Sequence, residues 1–303
     1  MNKQTLNSQE HLAKVQEVEN LPELSQRCSL SPAQVAQYHQ NGHLVVPQAL
    51  APTDIAAYRP FLVEVANREL AKLNDLERAV GTSGSTFVYD LREVHQAVWR
   101  LITSVAIAKI AAELLKVDSV RLLHYNCFFK PPQGLGTPWH QDCLYIPLNT
   151  DQVITAWIPL VELSPDMGPL TFASGSHRAG FLEFANTNKY SPERIVQMLD
   201  ERGLQLTSIG SMAVGDISFH SSFTLHSAPI NFSDRMREVI AISYYADGAC
   251  IGEPENFDLS TPQIFQTVKY REHFLNQYFS GLQPGDLACS PTNPVVYQKN
   301  QDV

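Results

Sequence analysis

The sequence predicts a mainly β protein with flanking helices, its strands arranged as a sandwich, barrel or jelly roll. Three observations lead there. From residue 119 onward the chain runs in short segments rich in β-branched and aromatic residues. Turn signals separate them: Pro131-Pro132-Gln133-Gly134, Asn149-Thr150-Asp151, Ser164-Pro165-Asp166-Met167-Gly168 and Asn231-Phe232-Ser233-Asp234. Before residue 119 the periodicity is helical instead. A chain of 303 residues is long enough to bury a full core.

Taken in order, residues 1–28 are polar and without periodicity, which predicts a mobile arm or a strap over the surface. A helix starts at Ser31-Pro32-Ala33-Gln34, where Ser31 is a good N-cap, Pro32 suits the first helical position and Gln34 completes a capping box. Gly42 is its stop, and a short strand follows at 43–47. Residues 53–74 are helical in composition, with Pro60 expected to kink or divide them. Residues 81–85 read as a loop and 87–89 as a short strand. Leu101, Ile102, Val105, Ile110 and Leu114 predict one long amphipathic helix over 94–116.

Strands are expected near 119–130, 139–146, 153–161, 169–173, 216–220, 225–230 and 237–246. An insertion at 178–212 interrupts them and carries its own capped helix, from Ser191-Pro192-Glu193-Arg194 to about Gly203. Such an insertion commonly serves as a lid or an oligomer contact. The organisation expected is an arm over 1–28 and a single domain over 29–303. That domain divides into a helical part (29–117), a β core (118–246) and a C-terminal extension (247–303). If copies of the chain associate, the insertion or the extension is the expected contact.

The composition is that of an ordinary soluble protein, 44% hydrophobic and 17% charged. A formal net charge of −9 argues against nucleic acid or an anionic membrane as partner and leaves a small molecule open. Cys28, Cys127, Cys143, Cys250 and Cys289 show no metal or redox spacing, which suits reduced thiols in a cytoplasmic compartment. Residues 1–26 lack the apolar run of a secretory signal, and no stretch has the length of a membrane span.

Thr137-Pro138-Trp139-His140-Gln141-Asp142 places an imidazole and a carboxylate two residues apart. In extended backbone both point to one face while Gln141 turns away. They make two thirds of a two-histidine, one-carboxylate site of the kind that holds non-haem Fe(II). Alone, the pair is a weak signal. His226, His220 and His177 could each complete it, although a single histidine is more commonly a hydrogen-bonded structural residue. Eleven residues after His226 comes Arg237, opening the apolar run Val239-Ile240-Ala241-Ile242-Ser243. A guanidinium facing a protein interior demands an anion, and a carboxylate clamp is what arginine does best. Arg235 is the rival, but it lies in a turn beside Asp234.

The pattern Trp139-His140-Gln141-Asp142, followed by Gly215-Asp216, His226-Ser227, Asn231, Ser233 and Arg237, resembles the phytanoyl-CoA dioxygenase family of Fe(II)- and 2-oxoglutarate-dependent oxygenases. The likeness runs over roughly 33–246 and is densest at 124–177 and 213–246. It implies a double-stranded β-helix, a jelly roll of cupin type. It also implies His140, Asp142 and His226 as metal ligands and catalytic centre, with Arg237 holding the far carboxylate of 2-oxoglutarate. Asn126 and Trp157 would line the co-substrate pocket, Phe129-Lys130-Pro131-Pro132 would match a family element, and His177 in Ser174-Gly175-Ser176-His177 would be structural. Ala228 departs from the family's usual serine, with Thr155, Ser218 or Ser227 as replacements. Related halogenases carry a small residue in place of the carboxylate, so Asp142 disfavours halogenation.

The cofactor set implied is Fe(II), 2-oxoglutarate as co-substrate and dioxygen. The expected reaction is hydroxylation of an unactivated C–H bond with release of succinate and CO2. Arg178, Lys189, Arg194 and Arg202 are spread along the insertion rather than clustered for a CoA phosphate chain. That favours a natural-product or secondary-metabolite substrate over an acyl-CoA or an amino acid. Desaturation, cyclisation or epimerisation would use the same residues. A non-oxygenase cupin-like isomerase or binding module has no use for an arginine at the position of Arg237.

Overall fold

The computed structural model describes residues 18–27, 29–72, 95–182, 190–253 and 262–299. The chain opens with helix α1 (Pro32–Asn41) and strand β1 (His43–Val46). Helices α2 (Pro52–Lys72), α3 (Gln96–Ile102) and α4 (Val105–Leu115) follow. Then come β2 (Ser119–Lys130), β3 (Thr137–His140), β4 (Val153–Pro159), β5 (Thr171–Ser174), α5 (Pro192–Asp200) and β6 (Gln205–Ser208). Strands β7 (Ile217–Ser221), β8 (His226–Ala228) and β9 (Arg237–Ala246), helix α6 (Pro262–Tyr278) and strand β10 (Val295–Gln298) complete it. A six-stranded sheet in the order β1-β7-β4-β9-β2-β10 faces a four-stranded sheet in the order β3-β8-β5-β6. Every strand pair is antiparallel.

This is the expected β architecture, and it draws on more of the chain than 118–246. β1, from the helical part, forms one edge of the large sheet, and β10, from the C-terminal extension, forms the other. Ile154, Ile158, Phe219, Ile240 and Ile242 on the outer face of that sheet form one core with Leu101, Ile107, Ile110 and Leu114 of the helices. The inner face looks toward the small sheet, and there Trp157, Phe172, Ala228 and Ala241 pack together.

Ser31 accepts from the backbone of Gln34 while the Gln34 side chain accepts from Ser31, so the expected capping box forms. Gly42 ends α1 at φ 77°. Its carbonyl accepts from Ser221 and from Thr224 Oγ1, tying the helix end to the β7–β8 connection. A Cβ at Gly42 would collide with the His177 ring and Thr224 Oγ1. Gly42→Ala should therefore lower stability by about 2–4 kcal/mol, from left-handed strain plus overpacking, read as a shift in the urea midpoint.

Two helical expectations are corrected. Pro60 does not divide α2, which continues through it as one helix; the carbonyl four residues back belongs to exposed Ala56, where water can satisfy it. The single helix over 94–116 is two, α3 and α4. Thr103 Oγ1 takes the Trp99 carbonyl at 2.7 Å, and Ser104 adopts the extended N-cap conformation.

The strand expected at 139–146 ends at His140, because a 3₁₀ turn begins at Asp142. β6 and β10 add to the strands expected from the sequence, and the strand at 87–89 lies outside the described residues. Of the expected arm, residues 18–27 are described, with Val18 and Leu21 buried and their carbonyls held by Arg100. Among the described residues, no helix is long and apolar enough to cross a membrane.

β2 carries a bulge between Leu122 and His124. Fully buried Asn293, just before β10, donates to the carbonyls of Leu122 and Leu123 at 2.8 and 2.9 Å. The bulge breaks the ladder, and a side chain from the extension completes it.

Candidate active site

The inward positions of the large sheet line up in rungs. One rung crosses five strands as His43, His220, Thr155, Ser243 and His124. The next holds Val45, Ser218, Trp157, Ala241 and Asn126. Two rungs further on, Arg237 stands opposite Lys130. A polar floor thus runs into an apolar waist and ends at two buried basic side chains.

β3 and β8 bring His140 and His226 opposite each other, with ring centroids 4.1 Å apart. Gln141 is extended (φ −116°, ψ 131°), so Asp142 returns to the face of His140 before the 3₁₀ turn begins. The ligand-capable atoms of His140, Asp142 and His226 lie within 4.8 Å of one another. Asp142 Oδ1 is 3.5 Å from His140 Nε2 and 3.8 Å from His226 Nε2. Each ring is oriented from behind, His140 Nδ1 by the Pro138 carbonyl and His226 Nδ1 by the Thr224 carbonyl, both at 2.9 Å. A carbonyl accepts only a proton, so both rings carry N–H at Nδ1 and, when neutral, present a bare Nε2 forward. Two neutral imidazoles and a carboxylate suit Fe(II) or another first-row divalent ion.

Burial opposes ionisation of Asp142, but His226, His140 and His220 outweigh it and hold the carboxyl well below its usual range. Burial and then the charge of His140 push His226 well below the normal imidazole value. Burial also lowers His140, yet its bond to and charge attraction for Asp142 leave it raised. A deprotonated carboxylate beside neutral His226 is the state a metal requires.

Gln141 faces away and is fully buried. It donates to the carbonyls of Gly180 and Phe223 and accepts from Leu182, clasping the root of the insertion to the ligand strand. Among its described residues, the insertion covers the outer side of the small sheet: Ile195 and Leu199 of α5 pack with Trp139, Leu182 and Leu225, and β6 extends that sheet beside β5. Met167 is buried beside Trp157 and Phe172.

Arg237 is 2% exposed. Its Nη1 donates to the Gly168 carbonyl, its Nε has no hydrogen-bond partner, and its guanidinium carbon lies 5.6 Å from the centroid of the Trp157 ring. Burial lowers its pKa to about 10, so it remains a cation. The adjacent carboxylate, Glu238, faces the opposite side of the sheet and is held by Arg59 at 2.6 and 2.7 Å. Lys130 is also fully buried, donates to the Pro229 carbonyl, and is pushed down to about 7 by burial and then by Arg237. No ion pair of Arg237 or Lys130 occurs among the described residues. A buried guanidinium with an unused N–H is a site built for an anion.

The other expected residues fall as follows. Asn126 is partly buried on the rung of Trp157, one strand from it across Ala241. Asn231 and Ser233 fold the turn before β9, Asn231 donating to the carbonyls of Lys130 and Arg235 and accepting from Ser233. His177 contacts the His39 carbonyl at 3.1 Å, away from the centre, as a structural histidine. Arg235 reaches Met167 Sδ rather than the pocket. Of the hydroxyls considered in place of the serine absent at Ala228, Thr155 is bonded to Ser243 at 2.9 Å and Ser227 alternates off the His226 face. Ser218, beside Trp157, is fully buried with no partner.

Sequence reasoning missed His124, Ser243 and Gly168; the period-2 alternation of β2 and β9 was the available signal for the first two. His43 and His124 are both driven to about 4, chiefly by burial. A depressed imidazole favours the fold while neutral, so this contribution is complete above the unfolded value near 6.5 and is lost as pH falls toward 4. Stability should drop by on the order of a few kcal/mol between pH 7 and pH 4, and His43→Gln should flatten part of that drop in urea melts.

The family model described as Phytanoyl-CoA dioxygenase (PhyH) matches residues 38–239. A probable alpha-ketoglutarate-dependent hypophosphite dioxygenase of Stutzerimonas stutzeri is 30% identical over 139 residues, 44% of this chain and 47% of that protein. The chain therefore spans about half the length of that relative. The peroxisomal phytanoyl-CoA dioxygenase of Bos taurus is 23% identical over 231 residues, 70% of this chain and 67% of that one. Among solved structures, the non-heme alpha ketoglutarate dependent epimerase SnoN from nogalamycin biosynthesis superposes with a TM-score of 0.66 at 21% identity, covering 88% of this chain and 95% of that one. The match confirms the jelly-roll fold expected of the resemblance. With more than half its length under the family model, the chain belongs to the phytanoyl-CoA dioxygenase family.

Proposed function

We propose that this protein is an Fe(II)- and 2-oxoglutarate-dependent dioxygenase that hydroxylates an unactivated C–H bond of a small natural product or secondary metabolite. The observation that carries the reading is Arg237, a buried cation with an unused N–H on the same sheet face as Thr155, whose hydroxyl reaches Asp142. His140, Asp142 and His226 hold the metal. Arg237 takes the far carboxylate of 2-oxoglutarate, Trp157 walls it, and Asn126 and the Ser218 hydroxyl supply polar contacts. When bound, metal and oxo acid together supply oxidative decarboxylation by dioxygen coupled to oxidation of a substrate C–H bond. The chain's own part is to hold that pair in a dry, shaped chamber and to keep Asp142 ionised.

A tailoring substrate is supported by a relative named 1-deoxypentalenic acid 11-beta-hydroxylase, of Streptomyces exfoliatus, 33% identical over 105 residues. The test is an anaerobic titration with Fe(II) and 2-oxoglutarate, followed by oxygen and a panel of metabolites. Succinate release with a product heavier by one oxygen supports the proposal. A product lighter by two hydrogens would redirect it to desaturation or ring closure. Failure to bind 2-oxoglutarate at all would sink it.

A further inference from the structure

We propose that His220 is a positioning residue that, with Thr155, holds the second oxygen of Asp142 and so keeps that carboxylate a one-oxygen ligand. The inference rests on the reading of His140, Asp142 and His226 as the metal-holding triad. Asp142 Oδ1 is the oxygen that faces both His140 and His226. Oδ2 points instead to the floor of the large sheet, where His220 Nε2 is 3.3 Å away and Thr155 Oγ1 3.4 Å. Thr155 is itself held by Ser243, its neighbour on the same rung.

The ring nitrogens separate His220 from the two ligands. His140 and His226 each use Nδ1–H on a backbone carbonyl and turn forward an Nε2 that is bare when the ring is neutral. His220 has no partner at Nδ1, and its Nε2 faces a carboxylate oxygen. A carboxylate accepts a proton and repels a lone pair, so His220 carries its proton on Nε2. That nitrogen donates and has no lone pair to offer a metal. The side chain is 2% exposed and packed against Phe172, with ring centroids 5.4 Å apart, so the donor is fixed in place.

The consequence concerns coordination number. A carboxylate free to turn can present both oxygens to one ion and fill an additional position. With Oδ2 held by His220 and Thr155, Asp142 would offer a bound ion Oδ1 alone.

The experiment titrates Co(II) alone, then 2-oxoglutarate, into wild type, His220→Leu, His220→Gln and Asp142→Ala, following the cobalt absorption spectrum. His220→Leu is expected to weaken cobalt about ten- to hundredfold, the range for an outer partner of a ligand, and to change the spectrum. His220→Gln, which keeps an N–H donor, should recover most of both. Selective ¹⁵N-histidine spectra of the wild type should report N–H at Nε2 for His220 and at Nδ1 for His140 and His226. If His220→Leu is folded by its urea midpoint and binds cobalt within about twofold of wild type, the positioning role is overturned. If it loses cobalt as completely as Asp142→Ala does, His220 is a ligand and the proposal is equally overturned. Should His220→Leu fail to fold, His220→Gln and the ¹⁵N assignment decide, a proton at Nδ1 of His220 being the contrary result. Wild-type affinity unchanged in Asp142→Ala would instead bring down the triad itself.

Discussion

Arg237→Met is expected to raise the dissociation constant for 2-oxoglutarate by about thirtyfold or more, while the apoprotein stays at least as stable as before. Losing one partner of a buried charged pair costs on the order of 2–5 kcal/mol in binding. Methionine, however, relieves the apoprotein of a desolvated cation whose Nε has no partner. Binding and stability should therefore move in opposite directions, which a change that merely damaged the fold would not do. Arg237→Lys should fail to rescue, because a point charge cannot reproduce the guanidinium fork or its face against Trp157. Calorimetric titration of the co-substrate, paired with urea melts, checks both halves. A variant that still binds 2-oxoglutarate within about fivefold would remove Arg237 from the pocket, since even the low end of that cost corresponds to roughly thirtyfold.

Asp142→Ala and His226→Ala should each remove metal binding and reduce turnover to background. The loss should far exceed the roughly ten- to hundredfold effect of changing an outer partner. Without the carboxylate, His140, His220 and His226 crowd one another with no negative charge between them. Metal at about a hundred times its dissociation constant should stabilise the wild type by about 2.7 kcal/mol. Asp142→Ala should lose that increment, and a chelator should erase it from the wild type. Retained stabilisation in either variant would place the metal elsewhere.

The long strands and the caps were legible because their signals are local. β4 and β9 carry long runs dominated by β-branched and aromatic residues, β2 and β7 are rich in apolar and aromatic ones, and Ser31 and Gly42 mark the ends of α1 through their own backbone chemistry. The illegible features are non-local. Gln205–Ser208 is exposed along its whole length and is a strand only because β5 pairs with it. The break between α3 and α4 depends on Thr103 donating to the Trp99 carbonyl and on the extended backbone of Ser104, inside an otherwise unbroken apolar period. The strand expected through Tyr145 stops early, since Asp142 sits at the start of a turn.

In the centre, spacing separates His226 from its rivals only with help from a family resemblance. The physical discriminator, which ring nitrogen meets a carbonyl and which a carboxylate, exists only once β3, β7 and β8 are assembled. Ser218 poses a similar problem. Nothing in its neighbours announces a hydroxyl left without a partner, and only the pairing with Trp157 puts it next to the ring that the arginine faces.

The bulge in β2 works as a parity switch. Before it, Val120 and Leu122 point to the helices; after it, Tyr125, Cys127 and Phe129 do. One additional residue, Leu123, thus exchanges odd for even and delivers His124, Asn126 and Lys130 to the inner face. The two carbonyls this exchange leaves unladdered are capped by Asn293, which lies far beyond the last strand of the site. The far end of the chain therefore helps to determine which half of β2 the chemistry sees. A chain cut before Asn293 would endanger the frame in which that strand is read as well as the edge of the sheet.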